Sequence, residues 1–138
     1  DVREVIEGLA CRLAAQNIDD GTNRQELESI RKEMRAVRAD DDPMTYMANN
    51  KRLHVFIVAC SRNPWVAKFG EQLWLSLFRV QFNRFVHRPA RNLSMEQHEQ
   101  IIAAILAGKG REAERLMRSH IRGARKFIEE FPSDWLGD

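Results

Sequence analysis

The chain reads as an all-α domain, an antiparallel bundle of six helices. Apolar residues recur at three- and four-residue spacings along nearly its whole length, and no stretch shows the period-two alternation of a strand bounded by turn residues. The interruptions are short and carry helix-start or helix-stop chemistry, so successive helices must fold back on one another.

Helix one covers about 1–17, with Val2, Ile6, Leu9 and Leu13 as its apolar stripe, and stops before the Asp19-Asp20-Gly21 turn. Helix two follows over about 23–39. Thr22 with Gln25 three residues on has the spacing of a capping box, in which two side chains satisfy free backbone donors. Helix three, about 43–61, starts from Asp42 as N-cap with Pro43 at the first helical position, where a missing N–H costs nothing. It is apolar nearly all round, which predicts the central, most buried helix, with Leu53, Val55, Phe56, Ile57, Val58 and Ala59 packing on several neighbours. Asn63-Pro64 repeats the start signal for helix four, about 64–86, an aromatic wall carrying Trp65, Phe69, Trp74, Phe78, Phe82 and Phe85. The segment from His87 to Arg91 reads as a basic connector, and Ser94 with Gln97 as a second capping box opening helix five over about 94–107. Gly108-Lys109-Gly110 closes it. Helix six, about 111–130, sets Arg111, Arg115, Arg118, Arg122, Arg125 and Lys126 on an outer, solvated arc opposite His120.

At 138 residues the chain fits one domain over 1–138, large enough to bury its core without disulfides. The 43% hydrophobic and 30% charged content is ordinary for a globular protein, and no apolar run approaches the ~20 residues of a membrane span. A net charge of +2 is too mild for nucleic-acid binding by this domain itself. Cys11 and Cys60 sit in apolar helical sequence and read as small core residues, consistent with a reducing cytoplasm. The start at Asp1, with neither initiator Met nor signal segment, reads as a fragment whose natural N-terminus and a partner domain lie upstream.

His54, His98 and His120 each sit mid-stripe on a different predicted helix. Met47, Asn50, Ile57 and Val58 lie within about 60° of His54 at ~100° per residue, and Ile101, Ile102 and Ile105 flank His98 in the same way. Inward imidazoles must be satisfied by hydrogen bonds or by a cation, so they are either core residues with polar partners or ligands of an internal metal. Asn50, four residues before His54, shares its face and could coordinate or hydrogen-bond a ring nitrogen. Arg3 also has two readings: capture of a carboxylate effector by its planar fork, beside the small residues Ala10 and Ala14, or an i,i+4 ion pair with Glu7.

The order Arg3-x-x-Ile6-Glu7, Ala14-Ala15, Asn50-x-x-Leu53-His54, Ala59-x-x-x-Asn63-Pro64, Ser94-x-x-x-His98 and Met117-x-x-His120-Ile121 resembles the FCD effector-binding domain of the FadR subgroup of GntR-type bacterial transcription regulators. The resemblance spans essentially the whole chain and implies an all-α antiparallel bundle of six to seven helices. It implies a divalent cation held through Asn50, His54, His98 and His120, with Asn50 standing where many members have Asp. A neutral amide there weakens cation binding but leaves a set suited to zinc or nickel. It further implies a small organic-acid effector near the metal, a winged helix-turn-helix DNA-binding domain upstream, a homodimer, and no catalysis. Two other classes fit the residues less well. A metal-dependent hydrolase would need a general base near the centre, which Asn50 does not supply. A metal-free helical interaction module would leave the histidines structural.

Overall fold

The computed structural model describes residues 2–37, 42–73 and 88–129. Among them the chain is helical throughout, with no strand: α1 Val2–Gln16, α2 Asn23–Ala36, α3 Pro43–Cys60, α4 over 64–73, α5 Arg88–Leu106 and α6 Gly110–Glu129. This is the expected all-α bundle. The remainder of predicted helix four, with Trp74, Phe78, Phe82 and Phe85, and the connector residue His87 lie outside the described residues.

Polar ties show which helices run opposite one another. Arg12 pairs with Glu114 at 3.2 Å and Arg118 with Glu4 at 3.2 Å, so α1 and α6 are antiparallel. Arg24 donates to the Leu106 carbonyl at 3.0 Å while Arg35 reaches Glu99 at 2.6 Å, which sets α2 against α5 in the same sense. The basic arc of α6 is mostly solvated, as expected, yet Arg118 and Arg122 also clasp Glu4.

As expected, α3 is heavily buried, and among the described helices α1 packs on α3, α5 and α6. Its inner face is built from Gly8, Ala10, Cys11, Ala14 and Ala15, small enough for three helices to approach, so the space beside Ala10 and Ala14 is filled by packing. The approach is close: a Cβ on Gly110 of α6 would stand 3.0 Å from the Arg12 carbonyl oxygen. On α3, Leu53, Phe56, Ile57 and Val58 are buried, but Val55 is 48% exposed and Ala59 also faces solvent. Both cysteines are free and buried, and burial pushes the Cys60 thiol up to about 11.

Helix ends follow local chemistry in part. Asp42 accepts the Met44 N–H at 3.2 Å with Pro43 at the first position, and Asn63 accepts from Trp65 and Val66 at 3.0 and 3.2 Å. Thr22 makes no side-chain cap. Its loop is held instead by Asn23 donating to the Asn17 carbonyl at 2.8 Å and Asn17 donating to that of Cys60 at 2.9 Å. The second capping box is also absent, because α5 begins at Arg88 and Ser94 lies inside it. Pro89 falls in that first turn, where its missing N–H costs nothing, so the supposed connector can be helical. The C-terminus of α5 is a Schellman turn: Gly108 at φ +69° donates to Ile105 and Lys109 to Ala104, both at 2.9 Å.

Candidate metal centre

Two helical stripes face one another across the bundle. On α3, Tyr46, Asn50 and His54 recur at four-residue steps, and all three are buried. On α5, Arg91, Ser94 and His98 share a face in the same way and are likewise buried. His120 enters from α6 and Glu7 from α1, each about 2% exposed. The three histidines, though far apart in sequence, thus form one buried cluster whose ligand atoms lie within 4.8 Å of one another and could hold a metal ion.

The orientation of the rings carries the chemical argument. His54 Nε2 and His98 Nε2 are 3.2 Å apart, and His98 Nε2 and His120 Nε2 are also 3.2 Å apart. Each Nδ1 is turned outward onto a different partner: Glu7 for His54, the Tyr46 hydroxyl at 3.3 Å for His98, and Gln97 Oε1 at 2.8 Å for His120. Glu7 is also paired with Arg3. Burial pushes its carboxyl up, but the charges and hydrogen bonds of His54 and Arg3 outweigh this and hold it down to about 2. The ionised carboxylate can only accept, so His54 Nδ1 must donate. Gln97 Oε1 accepts from His120 in the same sense, and the Tyr46 oxygen can accept from His98.

In the neutral form that a metal ligand requires, imidazoles whose Nδ1 donates outward turn their Nε2 lone pairs toward one another. Lone pairs at that distance repel unless a proton or a metal cation lies between them. A cation holding imidazole nitrogens at about 2.0–2.1 Å sets them roughly 2.9–3.4 Å apart, from right-angled to tetrahedral arrangements, and the His54–His98 and His98–His120 spacings fall in that range. Outer partners that fix ring and tautomer are what histidine ligands ordinarily carry. One further atom fits: Asn50 Oδ1 is buried without a hydrogen-bond partner, a condition that costs about 1–3 kcal/mol unless something else satisfies the oxygen.

The structure therefore brings together His54, His98 and His120 and places Asn50 one turn from His54 on the same face. It pairs Arg3 with Glu7, the second of the two arrangements the sequence allowed. Sequence reasoning missed Tyr46 altogether and saw Glu7 and Gln97 only as an ion-pair partner and a capping residue. A signal existed for two of them: Tyr46 is four residues before Asn50, and Glu7 is an acid set among the small buried residues of α1. Arg91, assigned to a connector, is buried in α5. No described helix is long and apolar enough to cross a membrane.

No curated protein and no solved structure matches the chain. The FCD domain family model, however, matches residues 1–123, a span that contains all six helical starts and every residue of the histidine centre. The helical bundle, the buried histidine cluster and this match agree: the chain belongs to the FCD domain family, the ligand-sensing regulatory domains of GntR-type regulators.

Proposed function

We propose that this domain is the effector sensor of a FadR-subgroup transcription regulator in the cytoplasm. In this reading a divalent cation is held by His54, His98, His120 and the Asn50 oxygen, zinc in first place and nickel in second. The observation that carries it is the convergence of three Nε2 atoms whose Nδ1 atoms are each committed to another residue. A bound cation supplies a Lewis-acidic point for the carboxylate of a small organic acid. Glu7, Tyr46 and Gln97 hold the rings, and the surrounding apolar residues exclude competing water. In this reading Arg3 would also meet the effector carboxylate while paired with Glu7. A winged helix-turn-helix domain upstream would contact DNA, and two copies would form a homodimer on a palindromic operator. Effector binding changes transcription only if the DNA-competent and DNA-incompetent states bind it with different affinity.

The structure favours this sensor over a hydrolase. Glu7 is the carboxylate that touches the centre among the described residues, and it lies behind His54 on the Nδ1 side, paired with Arg3. A base that activates water would be needed on the Nε2 side. Glu99 is engaged by Arg31 and Arg35, and Glu96 is exposed.

The test is elemental mass spectrometry on the purified protein and on His98→Ala, with circular dichroism to check folding. Near-stoichiometric metal in the wild type, lost in a folded variant, is the expected outcome. In the intact regulator, His98→Ala should retain operator binding and lose effector response. A wild type that holds no metal after zinc loading and dialysis would refute the metal reading and leave the histidines a structural role.

A further inference from the structure

Three neutral imidazoles and an amide oxygen contribute no charge to a cation. Glu7 is the carboxylate in contact with this centre among the described residues, and its charge is answered by the Arg3 guanidinium beside it. Among the described residues, a divalent ion held by these side chains therefore keeps both positive charges in a buried, low-dielectric place, where an uncompensated charge is costly.

A second observation lies one turn away on α5. Ser94 precedes His98 by four residues on the same helix face, and its Oγ is fully buried with no hydrogen-bond partner. A serine inside a helix ordinarily bonds back to the carbonyl four residues earlier, here that of Ala90; this one does not. Asn50 Oδ1, on the facing stripe of α3, is the other unsatisfied side-chain oxygen of this region. A donor without an acceptor, beside a cation site that gains no net counter-charge from the described residues, points to one further component, an anion with more than one acceptor group.

We propose that the centre binds its cation and a dianionic effector as a linked pair. One carboxylate meets the cation, and a second acidic group accepts the Ser94 hydroxyl about one helical turn, or ~5.4 Å, along α5. The class is a short dicarboxylate. Asn50 is the determinant of the linkage, because an Asp at that position would place one of the two negative charges inside the chain and make cation binding self-sufficient. This inference rests on the metal reading above. Linkage is reciprocal, so whatever factor the dianion adds to cation affinity the cation adds to that of the dianion.

The experiment measures zinc affinity of the purified protein by competition with a chromophoric chelator, in non-coordinating buffer. Zinc is added alone, with acetate, and with succinate or glutarate, and the series is repeated on Asn50→Asp and Ser94→Ala. In the wild type a dicarboxylate should tighten zinc binding by about tenfold or more, within the usual range of coupling between sites, and acetate by less. Asn50→Asp should bind zinc more tightly without any anion and show a diminished dicarboxylate effect. Ser94→Ala should reduce the dicarboxylate effect to that of acetate. Zinc bound with an affinity that neither dicarboxylate changes would overturn the linked pair and leave the metal site standing. No zinc bound under any condition would remove both. An Asn50→Asp protein no tighter for zinc than the wild type would remove Asn50 as the determinant.

Discussion

Glu7→Gln separates the metal centre's support from its ligands with almost no change of shape. The carboxylate is about 2% exposed and joins Arg3 to His54 Nδ1, so the substitution removes one charge from a buried three-membered network. Its carboxyl is held down to about 2 in the fold. Set against ~4.3 in an unfolded chain, at 1.36 kcal/mol per unit, that is about 3 kcal/mol of preference for the charged form. Removing one partner of a buried ion pair costs a similar ~3–5 kcal/mol. The metal-free variant should therefore lose about 2–3 kcal/mol at neutral pH, read from urea unfolding, because the glutamine amide retains part of the hydrogen bonding. Zinc affinity should fall as well, by about 10–100-fold, the usual effect of deleting a carboxylate behind a histidine ligand. Arg3→Met, which spares the contact between Glu7 and His54, should cost stability with a smaller effect on zinc. If Glu7→Gln is destabilised yet binds zinc as tightly as the wild type, Glu7 does not set the His54 ring and the argument from outward Nδ1 partners fails.

Two further predictions concern the scaffold. Gly108 ends α5 at φ +69°, where a Cβ would meet only the Ala15 carbonyl oxygen at an ordinary 4.0 Å, so Gly108→Ala should cost about 1 kcal/mol through backbone strain and lower Tm by roughly 3 °C in a thermal melt; an unchanged Tm would contradict the Schellman assignment. Glu4 accepts from Arg118 at 3.2 Å and from Arg122 at 3.1 Å. Burial raises its pKa, but those two arginines outweigh that and hold it below the ordinary carboxylate value. A folded pKa below the unfolded one gives stability that is complete above about pH 4.3 and is lost as pH falls through the folded value. Urea midpoints of wild type and Glu4→Gln should therefore differ at pH 7 and converge as the solution is acidified below pH 4; a gap that widens in acid would show that the clasp is not electrostatic.

The helices were legible because their signals are local. Asp42-Pro43, Asn63-Pro64 and Gly108 act within a few residues of themselves, and each is found performing the expected role. The two capping boxes were misread for an equally local reason. A Ser or Thr three residues before Gln satisfies the spacing, but whether the backbone leaves the helix there depends on what precedes it. Pro89 allowed α5 to start earlier, and the asparagines at 17 and 23 tied the first loop without Thr22. The several neighbours of α1 were hidden because a mostly small inner face reads weakly as an apolar stripe, whereas small residues are what admit several helices at close range.

The sequence by itself determined that His54, His98 and His120 would turn inward from three helices, since which face of a helix is apolar follows from spacing alone. It also determined that Asn50 would share the face of His54. Only the tertiary structure decided which ring nitrogen each histidine turns to the others and which residue occupies the opposite nitrogen. Those partners lie 47, 52 and 23 positions away along the chain, at Glu7, Tyr46 and Gln97. No local pattern joins residues so far apart. Their meeting depends on how α1, α3, α5 and α6 slide and rotate against one another, and that is settled by the packing of the whole core.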